Sequence, residues 1–445
     1  MMQEVSEWKR YDSRSKEWVP SPPHLGTIKA VLDMKFWPHV RPVLGISEWP
    51  FMRPDGTIVQ GKPTYDEESA VIFDPSADFP LVPEEPTPAQ IEEAKSLLLE
   101  VVCDFPFASD AHRSAWLALF LTILARPAIL GPVPLFPIDA TLRGSGKTRL
   151  SDVTCQVVTG RGVTILPAPI DNEEMRKILT SVFLEGYAVC SFDNISPDVP
   201  FEYPSLDMAL TAPEGWNDRL MGTQTTVHAA ISTVFMATGN NMTFGQDTIR
   251  RALPIRLESS LENPERRTGF RHPLPEWAIA NRARILVAGL TLLRAWHVAG
   301  RPHMGCNPWG TFEFWSTFIP PCIVHAGLPD PMGAQEELSE EGDSKKGALG
   351  IVLDLWPRLS GGNDGVTIKQ AISELYEDRD KDGPPDGFDA LREALEELSP
   401  PKPGFHPDVR RLGNAMRIQR KRVVRGKRML SKTVHGMTHW LVGKL

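Results

Sequence analysis

The sequence is poor in the features of a secreted, zinc-bound or membrane protein. Its five cysteines, Cys103, Cys155, Cys190, Cys306 and Cys322, lie far apart, with no CxxC pair and no histidines at zinc-ligand spacing. Neither a disulfide framework nor a zinc site is expected. A reducing compartment suits such a chain, and a cytoplasmic location is the expectation. No charged-then-apolar leader opens it, which argues against secretion. Long apolar runs are missing as well. The longest, residues 115–125, stops at Arg126-Pro127, too short to cross a bilayer, so a buried helix and no membrane partner are expected. No internal repeat is present.

What remains is a chain of 445 residues, long enough for about two to four domains. Its 41 prolines predict many stiff or helix-ending connections. Charge is uneven. The total is −8, yet residues 401–445 hold twelve Lys/Arg against Asp408 alone, a tail of +11 on a body of −19. That asymmetry suits a nucleic-acid-facing surface; the plainer alternative is a solvated basic helix or a contact with the acidic remainder.

Residues 141–150, TLRGSGKTRL, lie between an apolar strand-like stretch (134–140) and a helix-like one (148–158), the setting of a phosphate-binding loop. Gly144, Ser145 and Gly146 let backbone N–H groups turn inward toward phosphate, and the helix offers its positive end. Lys147 would reach the β and γ phosphates of ATP, and the Thr148 hydroxyl would ligate Mg²⁺. Thr141 stands where the usual pattern has its first glycine. The plain alternative is a Gly/Ser surface loop.

Such a site needs a second Mg²⁺ contact, and Asp193 supplies it at the end of the apolar run 187–193; an N-capping Asp is the alternative. Asn194 follows where many ATPases carry a water-polarising Glu. Glu173 and Glu174 are the nearest substitutes, with Glu174 slightly favoured, although both also suit a helix N-terminus. A third strand, 232–238, runs into Gly239-Asn240-Asn241. An amide there would hold the attacking water, or the segment is only a turn. Arg250 and Arg251 follow. One of them would serve a neighbouring subunit's site by neutralising charge on the transferred phosphoryl group, against the alternative of ordinary ion pairing.

The chain divides into five parts. Residues 1–85 read as a small β-rich module with a turn at Arg53-Pro-Asp-Gly56, and 86–130 as a helical connector. Residues 131–260 hold the nucleotide segments, and 261–345 a helical subdomain ending in a charge-rich linker at 336–346. Residues 346–445 give short helices, a basic helix over 408–422 and a hairpin turning at His435-Gly436. This is winged-helix order, with Arg410, Arg411, Arg417, Arg420, Arg422, Arg425 and Lys427 as DNA contacts.

The strings GSGKT (144–148), FDNI (192–195), LTAPEGWNDRLMG (210–222), ATGNN (237–241) and DTIRRALPIRL (247–257) resemble the AAA+ ATPases. More closely the chain resembles the superfamily 3-type helicase domains of phage, prophage and plasmid replication proteins. Similarity extends into both flanks, GISEWPFMRPDGTI and NRARILVAGLTLLRAW with PWGTFEFWS, and so covers most of the chain, without a primase-like catalytic segment. The resemblance implies an α/β fold: an AAA+ P-loop ATPase core with helical flanks, the small β-rich module in front and the winged-helix domain behind. It also implies a homo-oligomeric ring, a hexamer, with ATP and Mg²⁺ between subunits and single-stranded or forked DNA in the pore. A primase or polymerase would be a further partner. A DNA-contacting hairpin would fall at 215–230, with Arg219 and His228 as contacts. The expected activity is that of an ATP-dependent DNA helicase or translocase in mobile-element replication. The alternatives are an origin-binding initiator whose ATPase drives assembly, and an ATPase of defence or packaging.

Overall fold

The computed structural model describes residues 7–33, 40–43, 45–213, 215–219, 226–261, 263–361, 364–376, 387–402, 405–420, 422–424 and 426–444. Helices α1 (Pro88–Val101) and α2 (Asp110–Leu124) lead into strand β1 (Phe136–Ala140) and helix α3 (Lys147–Thr159). Then come β2 (Thr164–Leu166), α4 (Asn172–Glu185), β3 (Val189–Ile195), α5 (Pro204–Thr211), β4 (Val234–Asn240) and β5 (Ile255–Leu257). The five strands make one sheet in the order β5-β1-β4-β3-β2, and every pairing is parallel. Helical crossovers cover both faces, so the strands read as apolar runs rather than as one-sided alternation. On β4, Val234 and Met236 pack into the core shared with α2, α3 and helix α6 (Arg282–Val298). Phe235 and Ala237 pack on the other face with α4 and α5.

Local signals explain where the helices start. Thr87 and Gln90 form a capping box ahead of Pro88, satisfying two amides that the first turn leaves unpaired. The Asp171 side chain accepts from the Glu174 N–H at 2.9 Å. Helix α2 is buried nearly all round, as its apolar run predicts, and Trp116 Nε1 donates to Thr154 Oγ1 of α3 at 2.9 Å. A buried indole N–H left unpaired would be costly, so this bond fixes where the two helices touch. Helices α2 and α6 approach closely at Gly289, where a Cβ would lie 2.7 Å from Phe120 and 2.8 Å from Leu124.

The β-rich module ahead of α1 contains short strands at Gly45–Ser47, Thr64–Asp66 and Val71–Phe73 and a ribbon of Phe51–Met52 with Ile58–Val59. The Arg53-Pro-Asp-Gly56 turn joins that ribbon. Asp66, 5% exposed, accepts from Arg53 Nε at 3.0 Å and from the Ser69 N–H at 3.0 Å. The guanidinium, followed by the Ser69 bonds, holds the Asp66 carboxyl down at about 2 against the pull of burial. The module sits on α6 through Arg294 Nη1, which donates to Gly56 O at 2.8 Å.

Behind the sheet domain, helix α7 (Met332–Leu355) leads to α8 (Ile368–Tyr376), α9 (Asp389–Leu398), α10 (Val409–Gln419) and an antiparallel sheet of Val423–Val424, Lys427–Val434 and Met437–Lys444. The hairpin turns at His435-Gly436, as expected. This unit has its own core, from Leu349 and Trp356 to Met416 and Trp440. The linker expected at 336–346 is instead the middle of α7. Glu, Gln and Lys are good helix formers, and a high density of charge marks a solvated face as readily as a flexible tether. The charges are anchored too: Glu337 bonds His112 Nε2 at 3.0 Å and Glu341 bonds Arg256 Nη1 at 3.3 Å. A Cβ on Gly342 would lie 2.9 Å from Ile249, so the helix presses directly on the sheet domain.

Replacing Gly289 with Val should cost about 1–3 kcal/mol by overpacking α2 against α6, read as a lowered unfolding midpoint in urea. Asp66→Asn tests the module. A carboxyl whose folded pKa lies below its unfolded one stabilises above the unfolded value and loses that contribution as pH falls through the folded one. The substitution should therefore destabilise residues 51–73 by about 2 kcal/mol at pH 7, seen as faster amide exchange. The difference from wild type should close between pH 4 and 2.

Candidate functional site

The loop from Thr141 to Thr148 leaves the C-terminal end of β1 and enters α3. Gly144 has φ +78° and Gly146 +98°, backbone that a side chain would strain. Space excludes side chains as well: a Cβ on Gly144 would meet Glu265 at 2.8 Å, and one on Gly146 would meet Phe105 at 3.1 Å. Ser145 is buried and its Oγ donates to Leu142 O at 2.7 Å, bracing the loop from within. Thr141 is not among the positive-φ residues. Its carbonyl accepts from Asn241 Nδ2 at 3.2 Å. The irregular position therefore makes no demand that only glycine meets.

Lys147 is half-buried at the head of α3, and its Nζ donates to Asn240 Oδ1 at 2.7 Å. Burial lowers the Lys147 pKa, while Asp139 and Asp193 raise it. Asn240 ends β4, and Asp193 lies near the end of β3, where Thr238 Oγ1 of β4 donates to its Oδ1. The β3–β4 register slips between Phe192 and Ile195, and Asn194 adopts φ +57°. Asn tolerates this left-handed conformation better than most residues with a Cβ, which gives a backbone reason for Asn where a Glu was looked for. Thr148 is exposed beside the loop. Among the described residues no group of three or more His, Cys, Asp or Glu is gathered as a metal cage.

The other expected residues separate. Glu173 and Glu174 stand in the first turn of α4, 3.4 and 3.7 Å from Lys177. No bond joins Glu174 to Lys147, Asp193 or Asn240 among the described residues. Arg251 folds back on its own chain, with Nη1 3.7 Å from Asp247 Oδ1, whereas Arg250 is exposed, bonds Thr248 O through its backbone N–H, and its side chain has no hydrogen bond or ion pair among the described residues. A hairpin of Trp216–Arg219 and Thr226–Ala229 precedes β4. Its base is tied to α4, with Trp216 Nε1 donating to Thr180 Oγ1 at 2.9 Å and Arg176 Nη1 meeting Asp218 Oδ1 at 2.5 Å. Arg219 is exposed at its outer end, His228 is exposed opposite Asn217 near the base with its Nδ1 bonded to Asn217 Oδ1, and residues 220–225 lie outside the described residues.

In the C-terminal unit, Arg410, Arg411, Arg417 and Arg420 are exposed on or just after α10. Two expected contacts point elsewhere. Arg422 is half-buried, donates to Phe244 O at 3.2 Å, and has its pKa lowered by burial. Lys427 Nζ is 2.6 Å from Asp354 Oδ1. Both are engaged by partners distant in sequence. Arg425 lies outside the described residues.

Three features carried no usable local signal. Asp139 is buried in β1, paired in register with Gly239 and Arg256, and accepts from the Met242 N–H at 3.1 Å; burial raises its pKa. Thr238 holds Asp193. A cavity of about 550 Å³ adjoins the loop, with Gly144–Gly146 as one wall, Phe105, Phe270 and Leu274 as apolar lining, and Arg149, Arg267 and His272 around them. Its size and mixed lining suit a small molecule. The loop and the cavity together can hold an anion and an attached apolar group, with a lysine, a carboxylate and an amide gathered at the anion's end.

No helix among the described residues is long and apolar enough to cross a membrane. No protein-family model and no curated protein matches the chain. Among solved structures it is similar to the C-terminal region of NrS-1, at a TM-score of 0.32 and 11% identity over 99% of this chain and 98% of that one. It is also similar to the SCCmec type IV Cch helicase, at 0.30 and 13% over 94% and 82%, and to the JCV helicase, at 0.25 and 14% over 57% and 68%. Likeness at these TM-scores carries no weight for the site, which stands on its geometry.

Proposed function

We propose that the protein is an ATP-dependent DNA helicase or translocase of AAA+, superfamily 3-like type, acting as a ring in replication of a phage or other mobile element. One observation carries the reading: Lys147, Asp193 and Asn240 come together at the C-terminal ends of three adjacent parallel strands, where open α/β sheets bind ligands. The loop amides and Lys147 take the triphosphate, and the cavity lined by Phe105 and Phe270 takes the nucleoside. Thr148 and Asp193 offer hard oxygens of the kind Mg²⁺ uses together with phosphate oxygens. A divalent cation held by these two residues would supply charge neutralisation at the phosphates. Asn240 orients the attacking water, and Arg250, the free member of its pair, reaches into a neighbouring copy's site. The exposed hairpin residues Arg219 and His228 face single-stranded DNA in the pore. Of the tail, Arg410, Arg411, Arg417 and Arg420 meet phosphates through a winged-helix-like unit.

A second reading, an origin-binding initiator whose ATPase drives assembly, draws support from the separate core of the C-terminal unit and its row of exposed arginines. Footprinting of one duplex sequence without strand separation would favour it.

Lys147→Ala should reduce ATP hydrolysis by about 100-fold or more and abolish unwinding of a forked duplex. A variant that still unwinds would refute the motor reading. Replacing Arg410, Arg417 and Arg420 together with Ala should flatten the slope of log affinity for duplex DNA against log salt by about 3. An unchanged slope would remove these residues from the DNA surface.

A further inference from the structure

We infer that Thr238 is a positioning residue for Asp193, holding one carboxylate oxygen so that the other is presented to the divalent cation. The inference rests on the reading of Asp193 as a cation-binding group.

Thr238 is 3% exposed and lies on β4 in the sequence Val234-Phe-Met-Ala-Thr238. Strand alternation places it on the same face as Val234 and Met236, both in an apolar core. A hydroxyl at such a position costs free energy unless it is bonded. Here it is bonded twice. Its one proton goes to Asp193 Oδ1, and its oxygen accepts from the Asn194 N–H at 3.4 Å. The second bond identifies what the first is for. Where the β3–β4 register slips, between Phe192 and Ile195, Asp193 and Asn194 leave the regular ladder, so backbone pairing no longer orients the carboxylate. The Thr238 hydroxyl spans the slip, gripping the acid and the following amide together. A β-branched residue is stiff at χ1, so the grip has one direction.

Asp193 Oδ2 has no partner recorded among the described residues, and it is the oxygen left for a cation or its bound water. Two residues further along β4, on the same face, Asn240 accepts from Lys147. One strand thus orients both the carboxylate and the ammonium. Groups that orient a ligating carboxylate typically change metal affinity by about 10- to 100-fold when removed.

The test is a titration of Mg²⁺ against binding of a fluorescent ATP analogue to the full chain, with the same analogue titrated in EDTA. Thr238→Val, and Thr238→Ala as a variant with the opposite effect on packing, should raise the half-saturating Mg²⁺ concentration about 10-fold or more, leaving affinity in EDTA and the thermal unfolding transition close to wild type. Thr238→Ser, which keeps the hydroxyl, should restore the wild-type Mg²⁺ requirement. In an Asp193→Asn background, Thr238→Val should add no further loss. Unchanged Mg²⁺ dependence in both Val and Ala variants overturns the inference, and so does a Ser variant that behaves like Val. If Asp193→Asn itself leaves Mg²⁺ dependence unchanged, the assignment of Asp193 falls, and the positioning role falls with it. That outcome is separable, because it shows in the single Asp193 variant.

Discussion

Adjacent parallel strands cannot be closed by a tight turn; each must be followed by a crossover that returns the chain to the same end. In this protein that requirement aligns the C-terminal ends of β1, β3 and β4 and sends α3 away from them. Groups far apart in sequence therefore meet without a special contact to gather them. Because β4 sits between β1 and β3, it touches what each neighbour delivers: Lys147 through Asn240 and Asp193 through Thr238. Removing the pairing on either side of β4 would leave the lysine and the carboxylate with no common reference.

Backbone conformation sets the second constraint. Gly144 and Gly146 occupy left-handed backbone against close neighbours, and Asn194 occupies it at the slip in β3. The departures from the usual phosphate-loop pattern at Thr141 and Asn194 are thereby of different kinds. Thr141 has ordinary backbone and contributes a carbonyl. Asn194 has backbone that disfavours a longer side chain with a Cβ, so the place of a missing glutamate is taken by a residue chosen for its conformation.

Much of the site was legible because its signals are local. A glycine loop between strand and helix, an acid at a strand end and an amide at the next each announce themselves within a few residues. Phe105 and Phe270 do not, since they reach the loop from segments on either side of the sheet domain, and only folding makes them a cavity wall. Composition misled in two places. The charges of residues 336–346 suggested a tether but occupy a helix whose small residue, Gly342, seats on Ile249. Arg422 and Lys427 counted toward a basic tail, yet the Phe244 carbonyl and Asp354 occupy them. Counting charges along a chain does not reveal which are already paired across it.

Helix α7 has a mechanical consequence. Its first half rests on the sheet domain at Ile249, next to Arg250, and its second half is core of the C-terminal unit. Twenty-four residues make a rod about 36 Å long. A tilt of about 5° at one end sweeps the other through about 3 Å. A flexible tether would have absorbed such a displacement; a continuous helix delivers it.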